Sequence, residues 1–173
     1  LETLTVQDAL TGVANRRGLE VFGHKAIKNW QIQGVGFSVM MIDVDHFKHV
    51  NDQYGHGVGD QALQHIAEVF RQFKGQNDTV IRWGGEEFLI LVTAPVECAN
   101  FKDKIIKQAN FLRETLATTP LIVEQSIINM TISCGISHYQ GQTLRELINQ
   151  ADSRLYLAKA NGRNQVCSEE LPG

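Results

Sequence analysis

The chain has 173 residues, of which 43% are hydrophobic and 20% charged, a composition typical of one globular domain with a sizeable core. A formal net charge of −3 argues against nucleic acid or a membrane surface as a partner, since both favour a basic protein. The three cysteines are odd in number and form no CxxC pair, which excludes a disulfide framework or zinc site as the expected organisation.

No apolar run approaches the roughly 20 residues that cross a bilayer, and the first residues show no signal-peptide pattern. We therefore expect a cytoplasmic domain that makes no membrane contact of its own, whether or not the parent protein is tethered to a membrane. Because the first residue is not Met, we also expect this domain to belong to a longer protein.

Hydrophobic periodicity predicts mostly helical structure in the first half of the chain. A turn at residues 8–17 leads into a helix at about 16–33, and the nearly all-apolar run 37–42 is typical of a strand buried on both faces. A short helix is expected at 46–54, followed by a glycine-rich break at 55–59. A second helix then runs to about residue 73.

The second half alternates strands and helices. Two strand-like runs, 79–83 and 88–92, flank four residues of hairpin length. The remaining predicted elements are a core-facing helix at about 96–116, strands near 121–123 and 127–137, a helix at 144–160 and an edge strand at 165–167. This order predicts an α/β (α+β) sandwich, with a central, mostly antiparallel five-stranded sheet flanked by helices.

Two carboxylates follow directly on the first buried strand. Strand alternation places Asp43 and Asp45 on one side and Val44 on the other. Carboxylates at the end of an apolar strand need a cation or donors to offset desolvation, and Mg²⁺ prefers such oxygen ligands. We interpret Asp43 as a metal ligand and Asp45 as the cap of the helix that begins near His46.

A second acidic pair, Glu86 and Glu87, follows two glycines at the tip of the predicted hairpin. Gly84 and Gly85 allow a phosphate to approach the backbone, because no Cβ intervenes. Taken alone, these four residues could equally form a solvated turn. If the hairpin lies beside the strand that ends at Asp43, three carboxylates converge at one edge of the sheet.

Several motifs together resemble the diguanylate cyclases of the GGDEF family, here in a GGEEF form. They occur in the family's order and cover residues from about 8 to 167. They are DALTG at 8–12 with NRR at 15–17, DVDHFK at 43–48 with ND at 51–52, GH at 55–56 with GD at 59–60, RWGGEEF at 82–88, and AD at 151–152 with Tyr156, AK at 158–159 and GRN at 162–164.

The resemblance implies a palm-like nucleotidyl cyclase fold and a reaction that joins two GTP into cyclic di-GMP and two pyrophosphates. It implies Mg²⁺, or Mn²⁺ in its place, held by Asp43, the Val44 carbonyl, Glu86 and Glu87. The metal would lower the pKa of the ribose 3′-hydroxyl that attacks the α-phosphate of the facing GTP. Glu86 and Glu87 are accordingly assigned catalytic roles.

The resemblance also assigns residues that bind the substrate. Lys48, Lys159 and Arg163 match the contacts to the triphosphate, the last two with a catalytic share as pyrophosphate leaves. The backbone N–H groups of His46 and Phe47 could hold the terminal phosphates. Lysines near helix ends are otherwise usually solvated.

Guanine recognition falls to Asn51 and Asp60 in this interpretation. A carboxylate accepts two hydrogen bonds from guanine N1–H and N2–H₂, and adenine offers no matching donors. Asp60 therefore favours GTP, although the same residue could also cap the second helix.

Residues 1–15 are expected to link residues 16–173, the cyclase domain, to an upstream sensory domain. In the turn at residues 8–17, we predict an ion pair between Asp8 and Arg17. The reaction needs two GTP molecules to face each other, so an at least transient homodimer is implied.

One departure concerns an Arg-x-x-Asp site at which many family members bind inhibitory product. Its positions are occupied here by Gly75 and Asp78. With the arginine missing, we expect no tight product inhibition through this site.

Two other functions remain open from the sequence. One is a non-catalytic GTP-binding or docking module on the same fold, which usually lacks one of the acids kept here. The other is a metal-dependent nucleotide hydrolase or a different palm-like nucleotidyl transferase, which shares the carboxylates but not the full set of motifs.

Overall fold

The structure is a computed structural model that describes residues 5–94 and 98–169. Five longer helices and seven strands occur in these two segments. In chain order they are α1 (Arg16–Gln33), β1 (Phe37–Val44), α2 (Phe47–Tyr54), α3 (His56–Phe73), β2 (Thr79–Arg82), β3 (Glu87–Thr93), α4 (Phe101–Ala117), β4 (Leu121–Val123), β5 (Ser126–Ile128), β6 (Ile132–His138), α5 (Leu144–Ala160) and β7 (Val166–Cys167).

A five-stranded sheet in the order β2-β3-β1-β6-β7 forms the centre of the molecule. The first three pairings are antiparallel, and only β6 and β7 run parallel. The predicted α+β fold with a mostly antiparallel five-stranded sheet is confirmed. β1 lies in the middle, and all eight of its residues are buried, as the apolar run 37–42 predicted.

Helices cover both faces of this sheet, so each face carries its own core. Met40, Ile42 and Val44 of β1 pack into one core with α2, α3 and α4. Val39 and Met41 pack into the other with α1 and α5. Asp43 shares the face of Val39 and Met41 by alternation, and therefore points toward the side covered by α1 and α5.

The largest differences from the sequence prediction concern α3, the strand expected at 127–137 and the start of α4. α3 begins at His56, since only Gly55, with φ 88°, interrupts the helical backbone. The single strand expected at 127–137 is two strands, β5 and β6, and β5 pairs with β4 in a separate small hairpin. Helix α4 begins at Phe101, whereas its predicted first residue, Val96, lies outside the described residues.

The core stripe predicted for α4 is confirmed, because Ile105, Ala109 and Leu112 are all buried. No helix within the described segments is both long and apolar enough to pass through a membrane.

Candidate active site

The two acidic motifs meet where the last residues of β1 lie beside the first residues of β3. Asp43 and Glu87 are cross-strand neighbours in the antiparallel register. The Val44 N–H also donates to the Glu86 carbonyl at 3.3 Å. Directly opposite residues project to the same face of a sheet, so the carboxylates of Asp43 and Glu87 lie together.

The hairpin that carries Glu86 and Glu87 is closed by backbone and side-chain bonds. The N–H of Trp83 donates to the Glu87 carbonyl at 2.8 Å. The Arg82 guanidinium donates twice to the Gly85 carbonyl, at 3.3 and 3.0 Å. These contacts fix the turn that holds the acidic pair, in which Gly85 is exposed and Glu86 and Glu87 are partly buried.

Helix α5 brings a cation to this pair of acids. Lys159, in its last turn, donates from Nζ to Oδ2 of Asp43 and forms an ion pair with it. Asp152 lies two turns earlier, close enough to raise the pKa of Glu87. The seven-residue spacing of Asp152 and Lys159 places both on one helix face. No role in the site was assigned to Asp152 from the sequence, although this spacing could have indicated one.

The carboxyl group of Glu87 holds its proton more readily than an ordinary glutamate. Burial is the largest cause of its raised pKa, followed by the neighbouring charges of Asp43 and Asp152. Lys159 acts in the opposite direction. The site thus concentrates negative charge that one lysine only partly offsets.

The expected convergence of three carboxylates is only partly seen. Across residues 5–94 and 98–169, no three His, Cys, Asp or Glu side chains are placed to hold a metal ion. Asp43 and Glu87 do face each other, and the Glu86 backbone is bonded to Val44. The donors are all oxygens, which suits Mg²⁺ or Mn²⁺, and the metal assignment stays a prediction.

Asp45 does not cap α2, so that prediction is wrong. The cap position is His46, in the left-handed conformation (φ 56°), and it makes no side-chain cap bond. Asp45 is buried and accepts hydrogen bonds from the hydroxyls of Thr131 (2.8 Å) and Ser133 (2.6 Å). It also accepts from the backbone N–H of Asn164 at 2.9 Å.

That last bond ties β1 to the loop after α5, which carries Arg163. Arg163 and Asn164 both have positive φ, 64° and 46°. This backbone is uncommon for residues with side chains. The loop is held in addition by Arg113, which donates to Asn164 Oδ1 at 2.9 Å. Asp45 therefore positions the loop of a predicted phosphate contact, a role that its sequence neighbours did not suggest.

The predicted guanine readers lie on α2 and α3. Asn51 is partly buried on α2, and a Cβ built on Gly59 of α3 would lie 1.9 Å from its Oδ1. Asp60 follows Gly59 and is exposed within α3, so it does not cap that helix. The close packing of α2 on α3 places Asn51 against Gly59, the residue immediately before Asp60.

Of the phosphate contacts predicted at the start of α2, Phe47 can offer its backbone N–H and Lys48 its side chain. Phe47 is only 7% exposed and packs into the core, so its N–H rather than its ring could meet a ligand. Lys48 is exposed, and within the described residues it forms no ion pair.

The N-terminal turn is held by bonds within itself and by an ion pair to Arg82, just before the hairpin. Asp8 pairs with Arg82 at 3.4 Å, and not with Arg17 as predicted. Asp8 also accepts from the N–H and hydroxyl of Thr11 at 3.0 and 2.7 Å. Burial alone would raise the pKa of Asp8, but these hydrogen bonds and the Arg82 charge lower it.

Arg16 adds a second link from the same turn. Its Nε donates to the Trp83 carbonyl at 2.5 Å, and its guanidinium lies 4.0 Å from the centre of the Trp83 ring. Trp83 immediately precedes Gly84. The N-terminal turn and the start of α1 are thus bonded to Arg82 and Trp83, the two residues that immediately precede the glycine pair of the hairpin.

At the position of the Arg-x-x-Asp site, Asp78 turns inward onto its own loop. It accepts from the Gly75 N–H at 3.0 Å, and burial raises its pKa. The expected loss of product inhibition here stays a prediction.

Comparison with known proteins identifies the family to which the chain belongs. The family model described as "Diguanylate cyclase, GGDEF domain" matches residues 5–165. The chain belongs to the GGDEF family. Among curated relatives, this GGDEF domain is 33% identical over 168 residues to diguanylate cyclase DgcM of Escherichia coli, covering 96% of this chain and 39% of DgcM. It is 35% identical over 161 residues to diguanylate cyclase DosC of the same organism, covering 92% and 34%.

Solved structures agree with this assignment. The GGDEF domain of DgcB from Caulobacter crescentus, determined in complex with c-di-GMP, superimposes with a TM-score of 0.86 at 26% identity, covering 97% of this chain and 98% of that one. Diguanylate cyclase SiaD of Pseudomonas aeruginosa, in complex with its activator SiaC, gives 0.86 at 32% identity, covering 95% and 62%. This GGDEF domain spans less than half the length of the curated relatives named above.

Proposed function

We propose that this GGDEF domain is an active diguanylate cyclase, which condenses two GTP into cyclic di-GMP and two pyrophosphates. The observation that carries the proposal is the meeting of Asp43, Glu87 and Lys159 at one edge of the sheet. Two acids assigned to the metal and a cation assigned to the triphosphate are thereby kept together, as the cyclase reaction requires.

Mg²⁺, or Mn²⁺, would be held by Asp43, the Val44 carbonyl, Glu86 and Glu87. When bound, it would supply the charge that activates the ribose hydroxyl of GTP. Lys159 pairs with Asp43, and it would contact the triphosphate from the same edge of the sheet.

The triphosphate would be held by cations and backbone N–H groups. Lys48, Lys159 and Arg163 supply the charge, and the N–H groups of His46 and Phe47 supply donors. Nothing lies within 4 Å of a Cβ built on Gly85. A phosphate can therefore approach the hairpin backbone closely at that point.

GTP is the proposed nucleotide because Asp60 and Asn51 offer acceptors for the guanine edge. Asp60 is exposed beside the buried Gly59. An adenine at the same position would present no N–H to this carboxylate. The choice of nucleotide thus depends on one acid that is free to meet a base.

The reaction implies a homodimer, at least a transient one, since each domain holds one GTP and the 3′-hydroxyl must reach its neighbour's phosphate. We propose that the upstream part of the parent protein is a sensory domain that controls this pairing.

The test is a nucleotide chromatogram after incubation of the domain with GTP and Mg²⁺ at several protein concentrations. We expect cyclic di-GMP to rise faster than linearly with protein and to vanish in Glu86→Gln. The matched control is Glu68→Gln, an exposed acid on α3, which should retain full activity. GTP binding without product at every concentration would favour the non-catalytic module, and absence of binding would contradict the assignment of Asn51 and Asp60.

A further inference from the structure

A groove separate from the candidate active site lies between the first turns of α1 and α5. Its volume is about 630 Å³. Asp43, Asn51, Asp60, Lys159 and Arg163 are not among its lining residues. The lining consists of Arg16, Arg17, Leu19, Glu20, His24, Trp83, Thr143, Leu144, Arg145, Ile148 and Asn149.

The floor of the groove is apolar. Leu19 and Leu144 form its buried base, at 2% and 8% exposure. Ile148 and Trp83 are partly buried and pack against the same core. This surface suits a hydrocarbon or aromatic body, because apolar contact with it removes area from water.

The rim is strongly cationic. Arg16, Arg17 and Arg145 are all exposed around it. The acid on the rim, Glu20, lies 3.2 Å from His24. Within the described residues, neither Arg17 nor Arg145 forms an ion pair or a side-chain hydrogen bond, so both guanidinium groups are available to a ligand.

We propose that this groove binds a small amphipathic anion, with an apolar body on the floor and a carboxylate, sulfonate or phosphate head on the arginines. Guanidinium groups bind such heads with paired, charge-assisted hydrogen bonds. A polyphosphate without an apolar part would leave the floor uncovered, and a neutral hydrophobe would leave the cations unmatched.

Occupancy of the groove should reach the GGEE hairpin through one residue. Arg16 lines the groove and donates to the carbonyl of Trp83, which precedes Gly84. An anion that binds the Arg16 guanidinium would compete with its hydrogen bond to the Trp83 carbonyl and so alter the support of the hairpin. This inference does not depend on whether the domain turns over GTP.

The test uses hexanesulfonate as the probe and the intact domain labelled with ¹⁵N. We expect saturable binding at one site, with the largest signal changes at the Trp83 indole and at the amides of Gly84 and Gly85. Hexanol, which lacks the charge, should bind at least about ten-fold more weakly, as should hexylammonium, which reverses it.

Variants locate the site. The double variant Arg17→Gln, Arg145→Gln should weaken hexanesulfonate binding at least about ten-fold, while thermal unfolding stays unchanged because both residues are exposed. Lys28→Gln removes a charge from α1 outside the groove and should bind within about two-fold of the parent. Equal affinity for hexanol, undiminished binding in the double variant, or no response at Trp83 would each overturn the proposal.

Discussion

Gly59 lies so close to the amide of Asn51 that a side chain at position 59 would collide with it. The Cβ of Gly59→Ala would meet Asn51 Oδ1 at 1.9 Å. We therefore expect this variant to displace Asn51 and to weaken GTP binding about ten-fold, measured by calorimetry. Gly57→Ala is the control, because its Cβ meets nothing within 4 Å. This second variant should bind GTP normally and gain about 0.5–1 kcal/mol of stability from the better helix former. Equal GTP affinity in both variants would contradict the role given to Gly59.

His138 should make the domain sensitive to mild acid. Its Nδ1 lies 2.6 Å from the buried Ser38 hydroxyl, and burial, with Lys102 and Arg154 nearby, lowers its pKa to about 4. Because the unfolded chain binds a proton near pH 6.5 and the folded one does not, stability should fall as pH drops from about 6.5 to 4. The expected loss is roughly 1–2 kcal/mol after allowance for solvent screening.

Denaturant unfolding at several pH values checks this. His138→Asn should flatten the dependence on pH, whereas His24→Asn, at an exposed position, should leave it unchanged. If the free energy of unfolding of His138→Asn depends on pH as it does in the parent, a group other than His138 causes that dependence.

Single-residue predictions from sequence succeeded where the relevant partner was local or periodic. Strand alternation placed Val44 on the side away from Asp43, and Val44 packs into the core with Met40 and Ile42. The hairpin was expected to bring its acids to Asp43 only if it lay beside that strand, and Asp43 and Glu87 are cross-strand neighbours. Asp45 was misassigned because its partners, Thr131, Ser133 and Asn164, are more than 80 residues away. Nothing in a local pattern reports such contacts.

The N-terminal turn is the element whose partner the sequence missed. Asp8 contacts Arg82 from a distance of 74 residues, whereas the predicted partner, Arg17, is close in sequence but points into a groove. We expect Asp8→Ala to lower stability by about 1–2 kcal/mol, because Thr11 and Arg82 lose a partly buried acceptor. Arg17→Ala should have almost no effect. Equal losses of stability in the two variants, measured by thermal unfolding, would support the pair predicted from the sequence, Asp8 with Arg17.

The loop after α5 depends on β1 in a similar way. Asp45→Ala removes the acceptor for two hydroxyls and the Asn164 N–H, and it should cost about 2–4 kcal/mol. We expect Arg163 to lose its fixed position, so GTP affinity should also fall. The control is Asp103→Ala, an exposed acid in the first turn of α4, whose cost should stay below about 1 kcal/mol. Unchanged unfolding in Asp45→Ala would show that the loop is held by other contacts.

Element types were easier to predict than element ends. The 3.6-residue and two-residue periodicities identified the long helices and the buried strands correctly, since they reflect which side chains face the core. The glycines after Gly55 were interpreted as a break, yet α3 begins at His56 and runs through Gly57 and Gly59. Of these two glycines, Gly59 packs so closely on Asn51 of α2 that no Cβ fits, a contact between helices that the sequence does not display.

At the scale of the whole molecule, Gly135 sets the distance between the sheet and α5. A Cβ at this position would meet the carbonyl of Ala151 and the N–H of Leu155 at 2.2 Å each. Backbone atoms cannot yield as a side chain does, so Gly135→Ala should push α5 outward. We expect a loss of about 3 kcal/mol or more in denaturant unfolding. A stability equal to that of the parent domain would show that α5 can shift to accommodate the Cβ.

The same variant should impair the site from a distance. α5 carries Lys159 to Asp43 and Asp152 toward Glu87, so its displacement separates the cation from the acids. The family's motifs name these residues, but only the packing of α5 on β6 shows why they can act together.

The order of the strands also bears on how the domain is made. β1 is synthesised early, but one of its two neighbours is β6, which comes more than 85 residues later. While the ribosome is still translating, β1 can pair with β3 alone and leaves an apolar, unpaired strand edge open to other chains. Chaperones therefore meet a chain whose central, fully buried strand gains its second neighbour only when residues 132–138 have emerged.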